Sequence, residues 1–174
     1  MPTYAIRGLD KESEAELDQV TRWCMAAVLE TIPEFEGSEA KARVELPNFS
    51  FDAMRAMIHA DFVRPTHRFL VAVDADGRLV GHSMLSCRVD PQGAPFGYFF
   101  SRFVEPDHRR RGLGTRLLDA AVAWFDQRGC QYLLAHTHET NVGLRALFEG
   151  RGFRVVERTV KRWPALTLRL DRPG

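Results

Sequence analysis

The chain has 174 residues, of which 45% are hydrophobic, and this length and composition suit one globular domain with a sizeable core. Its formal net charge of +1 argues against a nucleic-acid-binding protein, which would usually be strongly basic. No apolar run approaches the ~20 residues of a membrane span. We therefore expect a single domain over residues 1–174 that has neither a nucleic acid nor a membrane as its partner.

The N-terminus and the cysteines indicate a compartment. The opening MPTYAIRGLDKESEAEL does not place an apolar segment behind a charged one, so it does not resemble a signal peptide. Cys24, Cys87 and Cys130 are odd in number and far apart, which predicts buried free thiols in a reducing environment. We expect a cytoplasmic protein.

The first half of the chain predicts a strand, two helices and a hairpin. The strand covers Thr3–Arg7, and an acidic turn from Asp10 leads into the first helix, which ends in a loop containing Pro33 and Gly37. Ser50 is a candidate cap for a second helix over Phe51–Phe62. Two β-rich runs around Asp76-Gly77 predict the hairpin.

The second half alternates strands and helices. A strand in GYFFSRFVE ends at Pro106, a helix covers about Gly114 to Gln127, and QYLLAHTH is a further strand. A short helix is predicted over Asn141–Glu149, followed by two strands bent at Pro164. Strands and helices that are intermixed in this way, with hairpins at both ends of the chain, favour an α+β fold with a mixed sheet over a doubly wound one.

The stretch DHRRRGLGTRLLDAAVAWF concentrates three arginines and two glycines where a strand gives way to a helix. Backbone N–H groups at a helix start have no partner within the helix, and the helix dipole adds to their attraction for anions. A P-loop would need Lys-Ser or Lys-Thr after its second glycine, and a dinucleotide fingerprint would need a small residue where Leu117 stands. We predict a phosphate-binding loop at Arg109–Gly114, with a solvated basic turn as the alternative.

Two motifs carry a family resemblance. Arg109, Gly112 and Gly114 have the R-x-x-G-x-G spacing of the GCN5-related N-acetyltransferase (GNAT) superfamily. Some 30 residues later, NVGLRALFEGRGF is similar to the second signature of that family, N-x-x-A-x-x-L-Y-x-x-x-G-F, with Leu144 in place of Ala and Phe148 in place of Tyr. The chain resembles this superfamily most clearly between about residues 97 and 163.

The resemblance implies a GNAT fold, in which about four helices flank a mostly antiparallel sheet of six or seven strands with a central splay. It implies that acetyl-CoA is the co-substrate and that the two parallel central strands part around it. The implied cofactor-binding residues are Phe103, Val104, Arg109, Arg110, Arg111, Gly112, Leu113, Gly114, Thr115, Asn141 and Phe148. The implied reaction is direct attack of a primary amine, from a small molecule or a peptide, on the thioester; a homodimer is compatible with this family.

The general base is sought five residues before Asn141, where relatives that acetylate N-terminal amines have a glutamate. His136 occupies that position here, and histidine is able to accept a proton at neutral pH. Ser101 is a second candidate catalytic residue, because it is a possible donor to the departing sulfur when Phe148 replaces tyrosine. Glu105 and Asp107 are weaker candidates for the base. A hydrogen-bonded residue lining the strand is the alternative role for His136.

His138 lies two residues after His136, and on a strand the two side chains share a face. Together with Glu139 these two histidines are candidate ligands of a metal ion. The sequence supplies no convincing fourth ligand, and we expect no metal.

Acidic residues in and after the first helix favour a cationic acceptor, such as a polycation or a small basic metabolite; they are Glu30, Glu34, Glu36 and Glu39. Tyr98 is a further candidate to reach the acceptor. Six phenylalanines are assigned to core packing instead of a binding surface: Phe51, Phe62, Phe69, Phe96, Phe99 and Phe100. Two alternative functions stay open, a transferase for longer acyl-CoA and a catalytically idle acyl-CoA-binding module.

Overall fold

The computed structural model describes residues 3–173. Seven strands form one sheet in the order β1-β2-β3-β4-β5-β7-β6. The strands are β1 Ala5–Gly8, β2 His67–Val73, β3 Leu79–Val89, β4 Pro95–Val104, β5 Tyr132–His138, β6 Arg154–Thr159 and β7 Ala165–Asp171. The α-helices are α1 Glu14–Thr31, α2 Glu39–Glu45, α3 Phe51–Phe62, α4 Leu113–Gln127 and α5 Val142–Glu149. The α+β class and the mixed sheet are confirmed.

The sheet opens at its centre. All neighbouring strands are antiparallel except β4 and β5, which are parallel and are joined through α4. Their pairing covers only Phe96–Phe99 against Tyr132–Ala135. The rest of β4 is paired with β3 alone, so one edge of residues 100–104 faces an opening. This is the central splay that the family resemblance implies.

Helices α1 and α3 cover one face of the sheet. Ser13 caps α1 by accepting a hydrogen bond from the backbone N–H of Glu16, and the helix then buries Val20 and Trp23 at helical spacing. These side chains pack with Ile58 of α3 and with Phe69 and other residues of the sheet. A smaller cluster around Phe35 and Phe49 closes the end of this layer.

Helix α4 covers the other face. It buries Leu117, Ala121, Phe125 and neighbouring residues against β2 to β5. Phe99 contacts Phe125 and Phe148 edge-on, with ring centroids 5.2 Å apart in each pair. Core packing is thus the role of Phe69 and Phe99, as predicted, and the other phenylalanines of that group are partly buried.

The structure corrects several expectations. Within residues 3–173 there are five α-helices instead of about four, because Glu39–Glu45 forms a short helix capped by Ser38 where a loop was predicted. Helix α1 begins after Ser13, not at Asp10. Cys87 is only half-buried, although it is a free thiol as expected, and its Sγ lies 3.5 Å from that of Cys130. None of the described helices has the length and apolar character needed to span a membrane.

Candidate active site

A cleft of about 510 Å³ lies where the sheet opens, and we call it the large cleft. Its walls come from the last residues of β4, the loop before α4, the first turn of α4, and α5. Nine of the residues predicted to bind the cofactor line it: Phe103, Val104, Arg109, Arg110, Gly112, Gly114, Thr115, Asn141 and Phe148. Sequence motifs that are some 30 residues apart therefore meet in one cavity.

Two predicted residues do not line the large cleft. Leu113 is 1% exposed and its side chain packs in the core under α4, where it anchors the helix start. Arg111 is exposed on the loop and is not among the residues that line the cleft. The motif spacing places the loop correctly, but it does not distinguish the residues that face a ligand from their neighbours.

The start of α4 presents unpaired backbone N–H groups to the large cleft. Gly112 is the N-cap residue with φ 78°, no side chain caps the helix, and its first turn carries no acidic residue. The preceding loop also contains Arg110 in the left-handed region, at φ 58°. Free N–H groups, the positive end of the helix dipole and adjacent arginines together make an anion site.

The arginines of the loop have different surroundings. Arg109 donates through Nη2 to Glu30 at 2.9 Å and through Nε to the carbonyl oxygen of Val104 at 2.8 Å. Its guanidinium also lies 5.2 Å from the ring of Phe103. Arg109 thus ties the loop to α1 and β4, and Arg110 is the loop arginine that lines the cleft without such an attachment among the described residues.

The opposite wall of the large cleft comes from the start and middle of α5. Asn141 caps this helix, because its Oδ1 accepts from the N–H of Leu144 at 3.3 Å, while its Nδ2 donates to Thr137 at 3.1 Å. Phe148 is fully buried and closes the cleft with an apolar ring. A hydroxyl group is therefore missing at the position where the family signature has tyrosine.

A second cavity, of about 240 Å³, adjoins the large cleft, and we call it the small cavity. Five residues line both: Ala27, Thr31, Arg102, Asn141 and Leu144. The small cavity is also lined by Ser101, His136 and other residues from α1, β5 and the region around Trp163. Two substrates bound on either side of the splay would therefore meet near these shared residues.

His136 lines the small cavity from β5. Its Nδ1 lies 3.1 Å from the hydroxyl oxygen of Tyr98. Burial lowers the pKa of His136 below the ordinary value for histidine; Glu157 opposes this shift, and the charges of Arg88 and Arg102 add to it. The imidazole is neutral at neutral pH, which is the form that accepts a proton.

The neighbouring side chains engage partners that do not suit a metal site. His138 is buried, with Nδ1 at 2.8 Å from Thr140 Oγ1 and Nε2 at 3.1 Å from Glu34. Glu139 accepts from Arg158 at 2.6 Å. Among residues 3–173 no group of three or more His, Cys, Asp or Glu side chains is arranged to hold a metal ion.

Ser101 faces α1 and the small cavity instead of the large cleft. Its Oγ lies 2.9 Å from Nε2 of His82 and 3.3 Å from Sγ of Cys24. His82 is 1% exposed, and burial lowers its pKa to about 3, so this histidine is neutral. No sequence pattern indicates a role for His82, because a lone histidine in a β-rich run belongs to no motif and has no characteristic spacing.

Arg102 is the other site residue that sequence analysis missed. It lies on β4 and lines both cavities. Its Nε and Nη1 atoms are shielded from solvent and have no hydrogen-bond partner among the described residues. Burial lowers its pKa to about 10, so the side chain still carries its charge at neutral pH. The strand pattern alone could not indicate on which side of the splay this cation would lie.

The acidic residues that were expected to attract a cationic acceptor are each paired. Glu30 binds Arg109, Glu34 contacts His138, Glu36 pairs with Lys41, and Glu39 pairs with Arg43. None of them lines the small cavity. The lining of this cavity therefore gives no support to a preference for polycations.

The weaker candidates for a general base lie outside the small cavity. Glu105 accepts a hydrogen bond from Nε1 of Trp23 at 2.5 Å, and Asp107 is exposed in the turn before the loop. Their positions fit a structural role.

Comparison with known proteins supports the motifs. The sequence model of the acetyltransferase (GNAT) family matches residues 29–153. The chain is 35% identical over 86 residues to mycothiol acetyltransferase of Salinispora tropica, and the aligned segment covers 49% of this chain and 28% of that protein. It is 31% identical over 94 residues to aminoglycoside N(6')-acetyltransferase type 1 of Stenotrophomonas maltophilia, and this aligned segment covers 52% of this chain and 61% of that protein. It thus spans less than two thirds of the length of either relative.

The fold is shared with solved structures. The structure of yncA from Salmonella typhimurium, a putative acetyltransferase with its cofactor acetyl-CoA, superposes with a TM-score of 0.72 at 22% identity. The match covers 97% of this chain and 93% of that one. At this identity the likeness concerns the fold alone, and it confirms the GNAT-like architecture.

Proposed function

The chain belongs to the acetyltransferase (GNAT) family, and on that premise we propose that it transfers an acetyl group from acetyl-CoA to a primary amine of a small molecule or peptide. The large cleft takes the donor and the small cavity takes the acceptor. The thioester and the amine then meet near Arg102, Asn141 and Leu144, which are three of the five residues that line both.

One observation carries this proposal: the anion site at the start of α4 and the free edge of β4 lie in the same cleft. The pyrophosphate of acetyl-CoA accepts hydrogen bonds from the free N–H groups after Gly112 and from Arg110. The amide groups of the pantetheine arm pair with the edge of residues 100–104, as an added strand would. A cofactor that is anionic at one end and amide-bearing along its arm matches both features.

His136 is the proposed general base. When its Nδ1–H is donated to the oxygen of Tyr98, Nε2 carries the lone pair and is able to accept a proton from the incoming ammonium or amine, directly or through water. An alkylamine with a pKa near 10 is mostly protonated at neutral pH, so removing a proton creates the nucleophile. The amine then attacks the thioester carbon, and the C–S bond breaks as the tetrahedral intermediate collapses.

The leaving thiolate needs little help. A simple thiol has a pKa of about 8.5, so a thiolate is a tolerable leaving group near neutral pH. Phe148 offers no proton, and Ser101 lines the small cavity instead of the large cleft. Water entering the cleft is the remaining source of that proton, and we expect an active enzyme without the tyrosine of the family signature.

Two alternative functions, transfer of a longer acyl group and acyl-CoA binding without catalysis, are distinguished from acetyl transfer by an activity assay. A transferase for longer acyl-CoA would prefer a longer thioester in the same assay, and an idle binding module would bind CoA without releasing its thiol in the presence of any amine. A single domain over residues 1–174, a cytoplasmic location and a homodimer stay predictions.

The binding step is tested by titrating acetyl-CoA into the protein in a calorimeter. Replacing Arg110 with Gln removes charge-assisted hydrogen bonds to phosphate, which are worth about 1.5–3 kcal/mol, and should raise Kd about 10- to 100-fold. Arg111→Gln is the matched control, because Arg111 is the next residue and does not line the cleft. No effect of Arg110→Gln would show that acetyl-CoA is not held at this loop, whereas an equal loss in Arg111→Gln would assign the effect to the charge of the loop instead of to Arg110.

A further inference from the structure

Arg102 is a partly buried cation for which the described part of the chain provides no counter-ion. Its Nε and Nη1 atoms are shielded from solvent and have no partner among residues 3–173. The guanidinium keeps its charge at neutral pH. An uncompensated buried charge is costly, and proteins ordinarily provide it with an acid or a hydrogen-bonding group. Since Arg102 also lines both cavities, a ligand bound there is able to approach the guanidinium and supply a counter-ion.

The aromatic rings around Arg102 hold it in place without satisfying its N–H groups. The guanidinium carbon lies 4.8 Å from the ring centroid of Phe148 and 6.0 Å from that of Phe99. Ring faces attract a cation, but they accept only weakly from N–H groups that point along the guanidinium plane. The planar fork is thus fixed in orientation and still free to bind a carboxylate with two parallel hydrogen bonds.

The position of Arg102 limits which anion can reach it. It lines both the large cleft and the small cavity, whereas the phosphate-binding residues Arg109, Arg110 and Gly112 line only the large cleft. Arg102 is therefore at the junction of the two cavities, where the donor and the acceptor react, and the phosphates are held at the loop.

No protein carboxylate competes for Arg102 in this region. The small cavity has no aspartate or glutamate in its lining within the described residues. The one acidic residue that lines the large cleft is Glu30, and it is already paired with Arg109.

We propose that Arg102 binds a carboxylate group carried by one of the two substrates close to the reacting atoms. The carboxylate belongs either to an acceptor that bears it beside its amine, as an amino acid does, or to an acyl-CoA whose short acyl chain ends in one, as a dicarboxylic acyl group does. This inference rests on the proposed function, because it takes the two cavities as the donor and acceptor sites.

The experiment compares matched substrates that differ only in a carboxylate. In the acceptor arm, initial rates with acetyl-CoA are measured for an α-amino acid and for the amine that its decarboxylation gives, for example lysine and cadaverine. In the donor arm, acetyl-CoA is compared with succinyl-CoA at one fixed amine. The wild type is expected to favour the carboxylate-bearing member of one arm by at least about tenfold in kcat/KM.

Three variants assign that preference to Arg102. Arg102→Met keeps the length of the side chain without its charge and should abolish the preference, and Arg102→Lys keeps the charge without the fork and should retain only part of it. Arg128→Met is the matched control and should retain the whole preference. Arg128 also stacks on an aromatic ring, 4.9 Å from the centroid of Trp124, but lies outside both cavities.

The two proposals fail in different ways. Equal rates in both arms for the wild type, or a preference that survives in Arg102→Met, would overturn the carboxylate assignment while leaving acetyl transfer intact. If no pair of substrates reacts, calorimetry decides: acetyl-CoA that fails to bind overturns the proposed function. If acetyl-CoA does bind, the affinities of the paired compounds are compared. The carboxylate assignment is overturned when succinyl-CoA binds no better than acetyl-CoA and the amino acid binds no better than the amine without a carboxylate. Thermal unfolding shows whether the Arg102→Met variant is folded. If it is not, the substrate preference of the Arg102→Lys variant decides instead.

Discussion

His136 is the residue on which the proposed chemistry depends most. Replacing it with Ala should lower kcat/KM about 100-fold near neutral pH, at the low end of general-base effects, because the amine then reaches its neutral form unaided. The loss should shrink as the pH rises and free amine accumulates. Since burial lowers the pKa of His136, the acid limb of the wild-type profile should have its midpoint below the ordinary histidine value of about 6.5.

His59→Ala is the control for that series, because His59 is an exposed histidine on α3, outside both cavities. It should leave the pH–rate profile unchanged. A His136→Ala variant with the wild-type profile would remove the base from the mechanism and leave the positioning of the two substrates as the source of catalysis.

Sequence analysis reached some residues of the site and not others, for a physical reason. Arg110, Gly112 and Asn141 were found because a backbone anion site and a helix cap need particular residue types at fixed spacing. Arg102 and His82 were not found, since what makes them unusual is that each has a shielded nitrogen without a partner among the described residues, and shielding depends on contacts between elements that are distant in the chain. The burial of the Leu113 side chain was also not foreseen, because adjacent positions of a motif point in different directions.

The loop before α4 is the element that carries the anion site, and its geometry depends on glycine. Gly112 has φ 78°, where a side chain is strained, and an added Cβ would meet no atom within 4 Å. Gly112→Ala should therefore cost about 1–2 kcal/mol of stability through backbone strain alone. It should also weaken acetyl-CoA binding, because the strain is relieved by moving the N–H groups that hold the phosphates.

Gly77 offers a matched comparison for that substitution. It has φ 80°, an added Cβ there also meets nothing within 4 Å, and it lies in the β2–β3 turn, outside the cleft lining. Gly77→Ala should lose a similar amount of stability in chemical unfolding and keep the wild-type Kd for acetyl-CoA. If both variants bound acetyl-CoA equally well, the loop would not be the phosphate site.

Sequence patterns were sufficient to predict some helices and strands and not others. Helices α3 and α4 were predicted almost to the residue, because each has a clear start signal and a periodic apolar face. Helix α2 was missed because seven residues after Pro33 and Gly37 give little periodicity, although Ser38 is a cap in retrospect. The splay between β4 and β5 came only from the family resemblance, since no local pattern fixes where two parallel strands stop pairing.

The stability of the whole molecule should depend on pH through His82. Its folded pKa of about 3 lies below the ordinary value of about 6.5, so between these values the unfolded chain holds a proton that the folded chain does not. The contribution of the neutral imidazole is complete above pH 6.5 and is lost as the pH falls. We expect the free energy of unfolding to fall with a slope that approaches about 1.4 kcal/mol per pH unit in this window.

Denaturant unfolding between pH 7 and pH 4, compared with two variants, isolates that slope. His82→Gln removes the titrating group and should flatten the dependence whatever its effect on absolute stability, while His59→Gln, at an exposed position, should leave it as it is. A wild-type slope that persists in His82→Gln would assign the acid sensitivity to the carboxylates instead.

The central claim is that the open sheet holds acetyl-CoA and an amine together so that acetyl transfer follows. It is tested most directly by incubating the full chain with acetyl-CoA and a panel of primary amines, while measuring the released thiol and identifying the product by mass spectrometry. We predict thiol release that requires the amine, saturates with both substrates, and matches the amount of N-acetylated product formed. Thermal stabilisation by CoA with no thiol released for any amine would contradict the account and identify the chain as a binding module.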